Sequence, residues 1–244
     1  MALILVTGAS AGLGLATAAA LAEAEHDVVL HARNADRVAD QGIRDRMHEV
    51  LYGDLAHLDE VVRLAQQANA IGRFDAVIHN AGVLDGPDVF AVNIVAAFVL
   101  TAMMMPPNRS IFLSSSMHSS GSTDLGAVEF SRAGNRRAYA DSKLYVTALA
   151  MTCAGRWPDS MAHAVDPGWV PTRMGGPAAT DSLEEGHRTQ AWLATADESE
   201  ISPRSGAYWY HHTPRRPHPA AHAPGFQRDL MRKLEQHTGI AFPT

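Results

Sequence analysis

The stretch Leu5–Asn34, LVTGASAGLGLATAAALAEAEHDVVLHARN, sets three glycines between an apolar strand and an alanine-rich helix. Ala2 to Val6 are apolar, Thr7 to Gly14 read TGASAGLG, and Leu13 to Ala24 are helix formers. Gly8, Gly12 and Gly14 thus form a strand-to-helix turn. Its backbone N–H groups and the helix N-terminus suit an anion, and the missing side chains let a diphosphate approach the backbone. Tight packing of helix on strand would ask for the same glycines.

Outward from this turn, apolar runs alternate with helical stretches. DVVLHA, RMHEVLYGDL, FDAVIHNAG, RSIFLSSS and MAHAVDPG read as further strands, with helices from Leu58, from Val89 and around Tyr139 to Cys153 between them. This alternation predicts a doubly wound parallel sheet in three α/β/α layers, one domain over residues 1–244. Right-handed crossovers place every strand's carboxyl end on one edge, where the glycines, Asn80, Ser115 and Pro167 gather. Beyond Gly168, SLEEGHRTQAWLATA reads as a helix, SGAYWYHH as a last strand, and TPRRPHPAAHAPG as a proline-rich loop before a final helix over 226–237. The segment 175–196 is expected to be a mobile lid, and 212–244 a C-terminal extension. The histidines and arginines of the proline-rich loop lack ligand spacing, and no metal site is expected.

Composition narrows the function. The 244 residues are 46% hydrophobic and 19% charged, with a formal net charge of -6, which describes a globular chain without the electrostatic footprint of a nucleic-acid or anionic-membrane binder. Cys153 is the single cysteine, so no intrachain disulfide forms and a cytoplasmic location is expected. VFAVNIVAAFVLTAMMM, Val89 to Met105, approaches the length of a membrane span, but Asn93 and Thr101 interrupt it and Pro106 and Pro107 end it. A helix buried between the sheet and a subunit interface is expected instead.

The chemistry concentrates in Tyr139-Ala-Asp-Ser-Lys143, which opens a helix. Residues four apart share a helix face, so the Lys143 ammonium lies near the Tyr139 phenol. A cation about 4 Å away contributes roughly 4 kcal/mol at an effective dielectric near 20, enough to lower a phenol by about three pKa units before desolvation is subtracted. A tyrosine so tuned can protonate a carbonyl oxygen or deprotonate an alcohol.

TGASAGLG, Asn80-Ala81-Gly82, Asn93, the serine run 114–116, YADSK and Asp166-Pro167-Gly168 with Thr172 together resemble the short-chain dehydrogenase/reductase family over nearly the whole chain. The ending is similar to its retinol-dehydrogenase-like branch. The resemblance implies a Rossmann fold, with Tyr139 as general acid/base, Lys143 tuning it and holding the nicotinamide ribose, Ser115 on the substrate oxygen, and Asn93 anchoring a water of the proton relay. Ser115 is taken over Ser114 and Ser116 because the second of the paired serines is the one implied, and strand alternation turns its neighbours away. The implied cofactor cradle is Gly8, Ser10, Gly12, Leu13, Gly14, Arg33, Asp54, Leu55, Asn80, Ala81, Gly82, Tyr139, Lys143, Pro167, Gly168 and Thr172. Asp54 also reads as the N-cap of the helix that follows it.

An NAD site needs an acid about twenty residues beyond the glycines. His31-Ala32-Arg33-Asn34 stands there instead, and the Arg33 guanidinium, helped by the Ser10 hydroxyl, suits the 2′-phosphate of NADP. The expected function is NADP-dependent hydride transfer between the nicotinamide and a carbonyl or secondary alcohol. A catalytically silent NADP-binding regulator, and an epimerase or dehydratase, are the alternatives. Retinoid, steroid, quinone and small ketone substrates all fit. Only ten residues separate Gly82 from Asn93, which trims one wall of the cleft, and an insertion lengthens the chain between Ser115 and Tyr139. Helices beginning near Val89 and Tyr139 pair between subunits in the family, so a homodimer or homotetramer is expected.

Overall fold

The computed structural model describes residues 1–38, 40–131 and 137–243. Part of the insertion between Ser115 and Tyr139, and the last residue of the C-terminal extension, lie outside them. In chain order the elements are β1 (Leu3–Val6), α1 (Gly12–Glu23), β2 (Asp27–Ala32), α2 (Gln41–Arg44), β3 (Glu49–Tyr52), α3 (Leu58–Ile71), β4 (Ala76–His79), α4 (Ala96–Met103), β5 (Arg109–Leu113), α5 (Ala138–Arg156), β6 (Met161–Asp166), α6 (Leu183–Thr195), β7 (Ala207–Tyr210), β8 (Thr213–Arg215) and α7 (Pro224–Thr238).

The strands form one sheet in the order β3-β2-β1-β4-β5-β6-β7-β8. Neighbours run parallel except β7 and β8. The central strands are buried on both faces, which is why they read as unbroken apolar runs. Alternate residues serve two cores: Leu5, Val77 and Phe112 face the layer of α3, α4 and α5, while Ile4, Val6, Ile78 and Ile111 face the layer that includes Leu21 of α1 and Leu193 of α6. Strand order reverses between β1 and β4, and in sheets of this kind ligands bind in the crevice beyond the carboxyl ends of the strands at that point.

Three features differ from the sequence reading. The proline-rich loop begins with a strand, β8, because His211 and His212 both adopt positive φ, 46° and 59°, and turn the chain in the mirror-image geometry that suits a two-residue hairpin. The helix from Val89 is interrupted by a π turn over Ala91–Val95. The segment 175–196 divides: Ser182 caps α6 by accepting the Glu185 N–H at 3.0 Å, and α6 is a layer helix whose fully buried Gln190 amide donates to Thr17 of α1 at 3.3 Å. Within the segment expected to form a lid, residues 183–195 are thus a packed layer helix and the residues before them a loop.

The surroundings of α4 and α5 bear on assembly. Every residue from Ala96 to Thr101 in α4 and from Ala140 to Cys153 in α5 is buried within the chain itself. The turns after β5 and helix α7 cover α5, with Phe226 6.0 Å from Tyr145. Phe242 stacks on Phe98 at 5.6 Å and on Trp157 at 5.4 Å. The C-terminal segment thus packs against α4 and α5, the helices from which a paired-helix subunit interface is expected. None of the described helices is long and apolar enough to cross a membrane.

Candidate active site

The glycine turn is held from below. Asn80, just past β4, donates its amide to the carbonyls of Thr7 and Gly8 at 2.9 and 3.3 Å, and Thr7 receives the Ala81 N–H at 3.1 Å. A Cβ on Gly8, where φ is +63°, would stand 2.8 Å from Ala81 Cα, and one on Gly14 only 2.4 Å from the Asn80 amide. Asn80, Ala81 and the turn are thus one packed body. Helix α1 starts at Gly12 with no side-chain cap and no acid in its first turn, so its N-terminal donors remain available to an anion. Ser10 lies half-buried in the same turn, and Leu13 packs beneath it. Thr172 comes from the loop after β6 and approaches Gly12, where an added Cβ would meet its methyl at 3.2 Å.

His31, at the end of β2, was absent from the sequence-derived site. Its Nδ1 accepts the Gly8 N–H at 3.0 Å and its Nε2 bonds the Gly53 carbonyl at 2.9 Å, so one buried imidazole ties the glycine turn to the loop after β3. Burial holds its pKa down at about 4. Two residues on, the half-exposed Arg33 guanidinium pairs with Asp54 at 3.5 Å. Asp54 does not cap α3, whose N-cap is His57; its carboxylate instead accepts the Ala56 N–H at 3.0 Å in an Asx turn, with Leu55 buried between.

On the other side of the crevice, Ser115 follows β5 and Tyr139 and Lys143 lie on the first turns of α5. The Ser115 hydroxyl accepts the Met117 N–H at 3.2 Å and lies near enough to the Tyr139 phenol to favour its ionised form. The phenol in turn donates to Met174 Sδ at 3.8 Å. Ser114 points away, sharing a 2.7 Å hydrogen bond with Thr147 under α5, as strand alternation requires. Lys143 is buried, donates to the Leu113 carbonyl at 2.7 Å and has its Nζ 5.5 Å from the centre of the Tyr139 ring. Gly82 passes against it: a Cβ there would be 3.5 Å from Nζ and 3.4 Å from Asn93 Oδ1. Asn93 spends its side chain on Val83, accepting its N–H at 2.8 Å and donating to its carbonyl at 2.9 Å, with a further bond to Ser142 at 3.0 Å. Both amide protons of Asn93 are thereby used, and the π turn around it frees some backbone carbonyls from the regular ladder.

The electrostatics differ from the sequence expectation. Burial, with a smaller push from Asp166, raises the Tyr139 phenol to about 12 against the opposing effect of Ser115. Lys143 donates to the Leu113 carbonyl rather than to the phenol, and burial brings its own pKa down to about 8. Asp166, also missed, is a buried carboxylate just before Pro167. It accepts the Tyr208 hydroxyl at 2.9 Å and the Gly168 N–H at 3.0 Å, shaping the turn in which Gly168 has φ +82°. Above it Trp169 is pinned, its N–H on Asp181 at 2.6 Å and its indole on the Gly175 carbonyl at 2.8 Å.

A crevice at the switch point of a doubly wound sheet, with a serine near a tyrosine and a buried lysine one helical turn on, has a counterpart among known families: the family model described as short chain dehydrogenase matches residues 2–182. The chain belongs to the short-chain dehydrogenase/reductase family. The short-chain dehydrogenase chyC of Penicillium rubens is 35% identical over the full length of both chains. Human retinol dehydrogenase 13 is 26% identical over 99% of this chain and 86% of its own. Among solved structures, the carbonyl reductase Sniffer of D. melanogaster shares the fold, with a TM-score of 0.71 at 21% identity over 88% of this chain and 98% of that one. Like these dehydrogenases, the present chain is an oxidoreductase. The family match ends at residue 182, so α6, β7, β8 and α7 lie beyond it.

Proposed function

We propose that this oxidoreductase uses NADP to move a hydride between the nicotinamide and a carbonyl or secondary alcohol carbon, with Tyr139 as the general acid/base. The observation that carries this reading is the buried Lys143 ammonium 5.5 Å from the centre of the Tyr139 ring, with Ser115 close to the same phenol. The cradle fits a dinucleotide. Gly8, Gly12 and Gly14 leave room where a Cβ would collide, the uncapped start of α1 faces the place for the diphosphate, and Arg33 offers a guanidinium to a 2′-phosphate where an NAD site would need an acid. Ser10, Asp54, Leu55, Asn80, Ala81 and Gly82 line the adenosine side, and Pro167, Gly168 and Thr172 the nicotinamide side. When bound, the nicotinamide supplies the hydride or takes it.

The chain's own part is the proton. With its pKa held up, Tyr139 keeps its proton at neutral pH, the form needed to protonate the oxygen of a carbonyl as it is reduced. Ser115 holds that oxygen beside the phenol, and Lys143 stabilises the phenolate left behind. Loop 169–182, carrying Trp169, Thr172 and Met174, covers this place and forms the lid, within one domain that runs through α7.

Tyr139→Phe keeps the ring and removes the proton donor. Reduction of a panel of ketones, followed by NADPH absorbance, should fall by at least the roughly hundredfold that general acid catalysis contributes, while NADPH still binds. Turnover within a fewfold of the parent protein would overturn the assignment of Tyr139, and binding without turnover in the parent protein would favour a regulatory NADP-binding role.

A further inference from the structure

The serine of the site is held by a residue that takes no part in the chemistry. His118 lies in the single 3-10 turn, Ser116–Ser120, that follows Ser115, and it is buried. Its Nδ1 stands 2.7 Å from the Ser115 carbonyl, which also receives its backbone N–H at 3.0 Å. Its Nε2 is 3.0 Å from the backbone N–H of His218, a hundred residues further along the chain. A backbone N–H can only donate, so Nε2 is the acceptor, the ring proton sits on Nδ1, and that proton is donated to the Ser115 carbonyl. The C-terminal segment thereby sets the tautomer that grips Ser115. Tyr208 of β7 packs on the imidazole with ring centres 4.4 Å apart, and its hydroxyl holds Asp166 at the end of β6. Tyr208 and His218 both stand beyond the residues matched by the family model.

We propose that His118 is a positioning residue for Ser115, held in its working tautomer by the His218 backbone, so that the C-terminal segment contributes to proton transfer without touching the reacting atoms. The inference rests on the roles proposed above for Ser115 and Tyr139. Two bonds to one carbonyl fix the backbone of Ser115 and with it the direction of the hydroxyl close to the Tyr139 phenol. Loss of the imidazole leaves only the backbone bond of a short turn, and a misplaced hydroxyl costs rate with no matching loss of ligand binding.

Proline at position 218 isolates the bond. His218 has φ -53°, which proline adopts without strain, so His218→Pro deletes the N–H. His218→Ala keeps that N–H and loses only the side-chain cap on Ala220, a 3.1 Å bond. The kcat of His218→Pro should fall about tenfold below that of His218→Ala, the size of one buried hydrogen bond acting on the transition state, with KM for NADPH changed less than about twofold. His118→Ala should lose at least as much. His118→Asn, whose amide can still donate to the Ser115 carbonyl, should recover part of it, and the solvent deuterium isotope effect on kcat should rise in the impaired variants. Equal kcat for the two His218 variants, or no recovery in His118→Asn over His118→Ala, would overturn the proposal. Tyr139→Phe in the same series separates the levels: if it abolishes turnover while the His118 variants retain theirs, only the positioning role fails, and if it retains turnover the reading of the site itself fails.

Discussion

Lowering the pH from about 7.5 to 4.5 should unfold this protein through three imidazoles buried in the neutral form. His31 and His163 have their pKa values held down at about 4 and His79 at about 3, in each case first by burial, against 6.5 for a solvated imidazole. The hydrogen bonds explain why a second proton is unwelcome. His31 Nδ1 accepts from Gly8, and His163 Nδ1 accepts the Trp209 indole N–H at 3.0 Å, so protonation would set N–H against N–H. His79 stacks flat on Phe112 at 4.5 Å, and its buried Nδ1 has no partner among the described residues. Between pH 6.5 and about 4 the unfolded chain binds more protons than the native one, so stability is full above 6.5 and falls as the pH drops. At pH 5 each imidazole takes away about 2 kcal/mol, and the three together about 6 kcal/mol, with a slope near 4 kcal/mol per pH unit. That is the size of a whole folding free energy at the low end of the usual range, about 5 kcal/mol. Asp141, whose carboxyl burial pushes up, acts with the opposite sign and blunts the slope. Urea unfolding followed by circular dichroism at fixed ionic strength measures the effect, and His79→Leu should remove about a third of the slope. A free energy constant within about 1 kcal/mol between pH 7 and 5, or a slope unmoved by His79→Leu, would refute the reasoning.

Three further outcomes are expected. Arg33→Asp removes a charge-assisted contact and sets a second carboxylate beside Asp54, so the ratio of kcat/KM for NADPH over NADH should drop by on the order of a hundredfold, read from initial rates with both cofactors. Gly14→Ala forces a methyl to within 2.4 Å of the Asn80 amide and 2.7 Å of the Gly8 carbonyl, so NADPH affinity measured by fluorescence titration should collapse and the melting temperature fall by several degrees, about 4 °C or more. Light scattering should give a particle of one chain, 26.2 kDa, because the faces of α4 and α5 are spent within the molecule; a dimer mass would locate assembly on another surface.

The turn from Thr7 to Gly14 could be read because its requirements are local: an apolar strand, glycines where a Cβ collides, a helix former after them. Tyr139 and Lys143 could be paired because helical periodicity is also local, and Ser115 could be separated from Ser114 by the two-residue period of a strand. The helix start after Ser182 was legible as well, since Ser182 and Glu185 stand at capping-box spacing. What escaped was non-local. His31 meets Gly8 and Gly53 across more than twenty residues, and His118 meets His218 across a hundred, so neither histidine differs in sequence from one left in a solvated loop. The pull of Leu113 on Lys143 also escaped, because spacing alone says nothing about which other acceptor competes for an ammonium.

Helix α7 and Phe242 have a consequence for the order in which the protein is made. A chain synthesised from its N-terminus completes α4 and α5 well before residues 224–242 exist, and the apolar surfaces around Phe98, Tyr145 and Trp157 then stand without their cover. Phe242 must return across more than half the chain to reach Phe98, and the entropy of closing that loop is spent before any contact repays it. The nascent protein is therefore at its stickiest just before residues 224–242 emerge, and a chaperone that shields α4 and α5 during that interval would act where α7 later does.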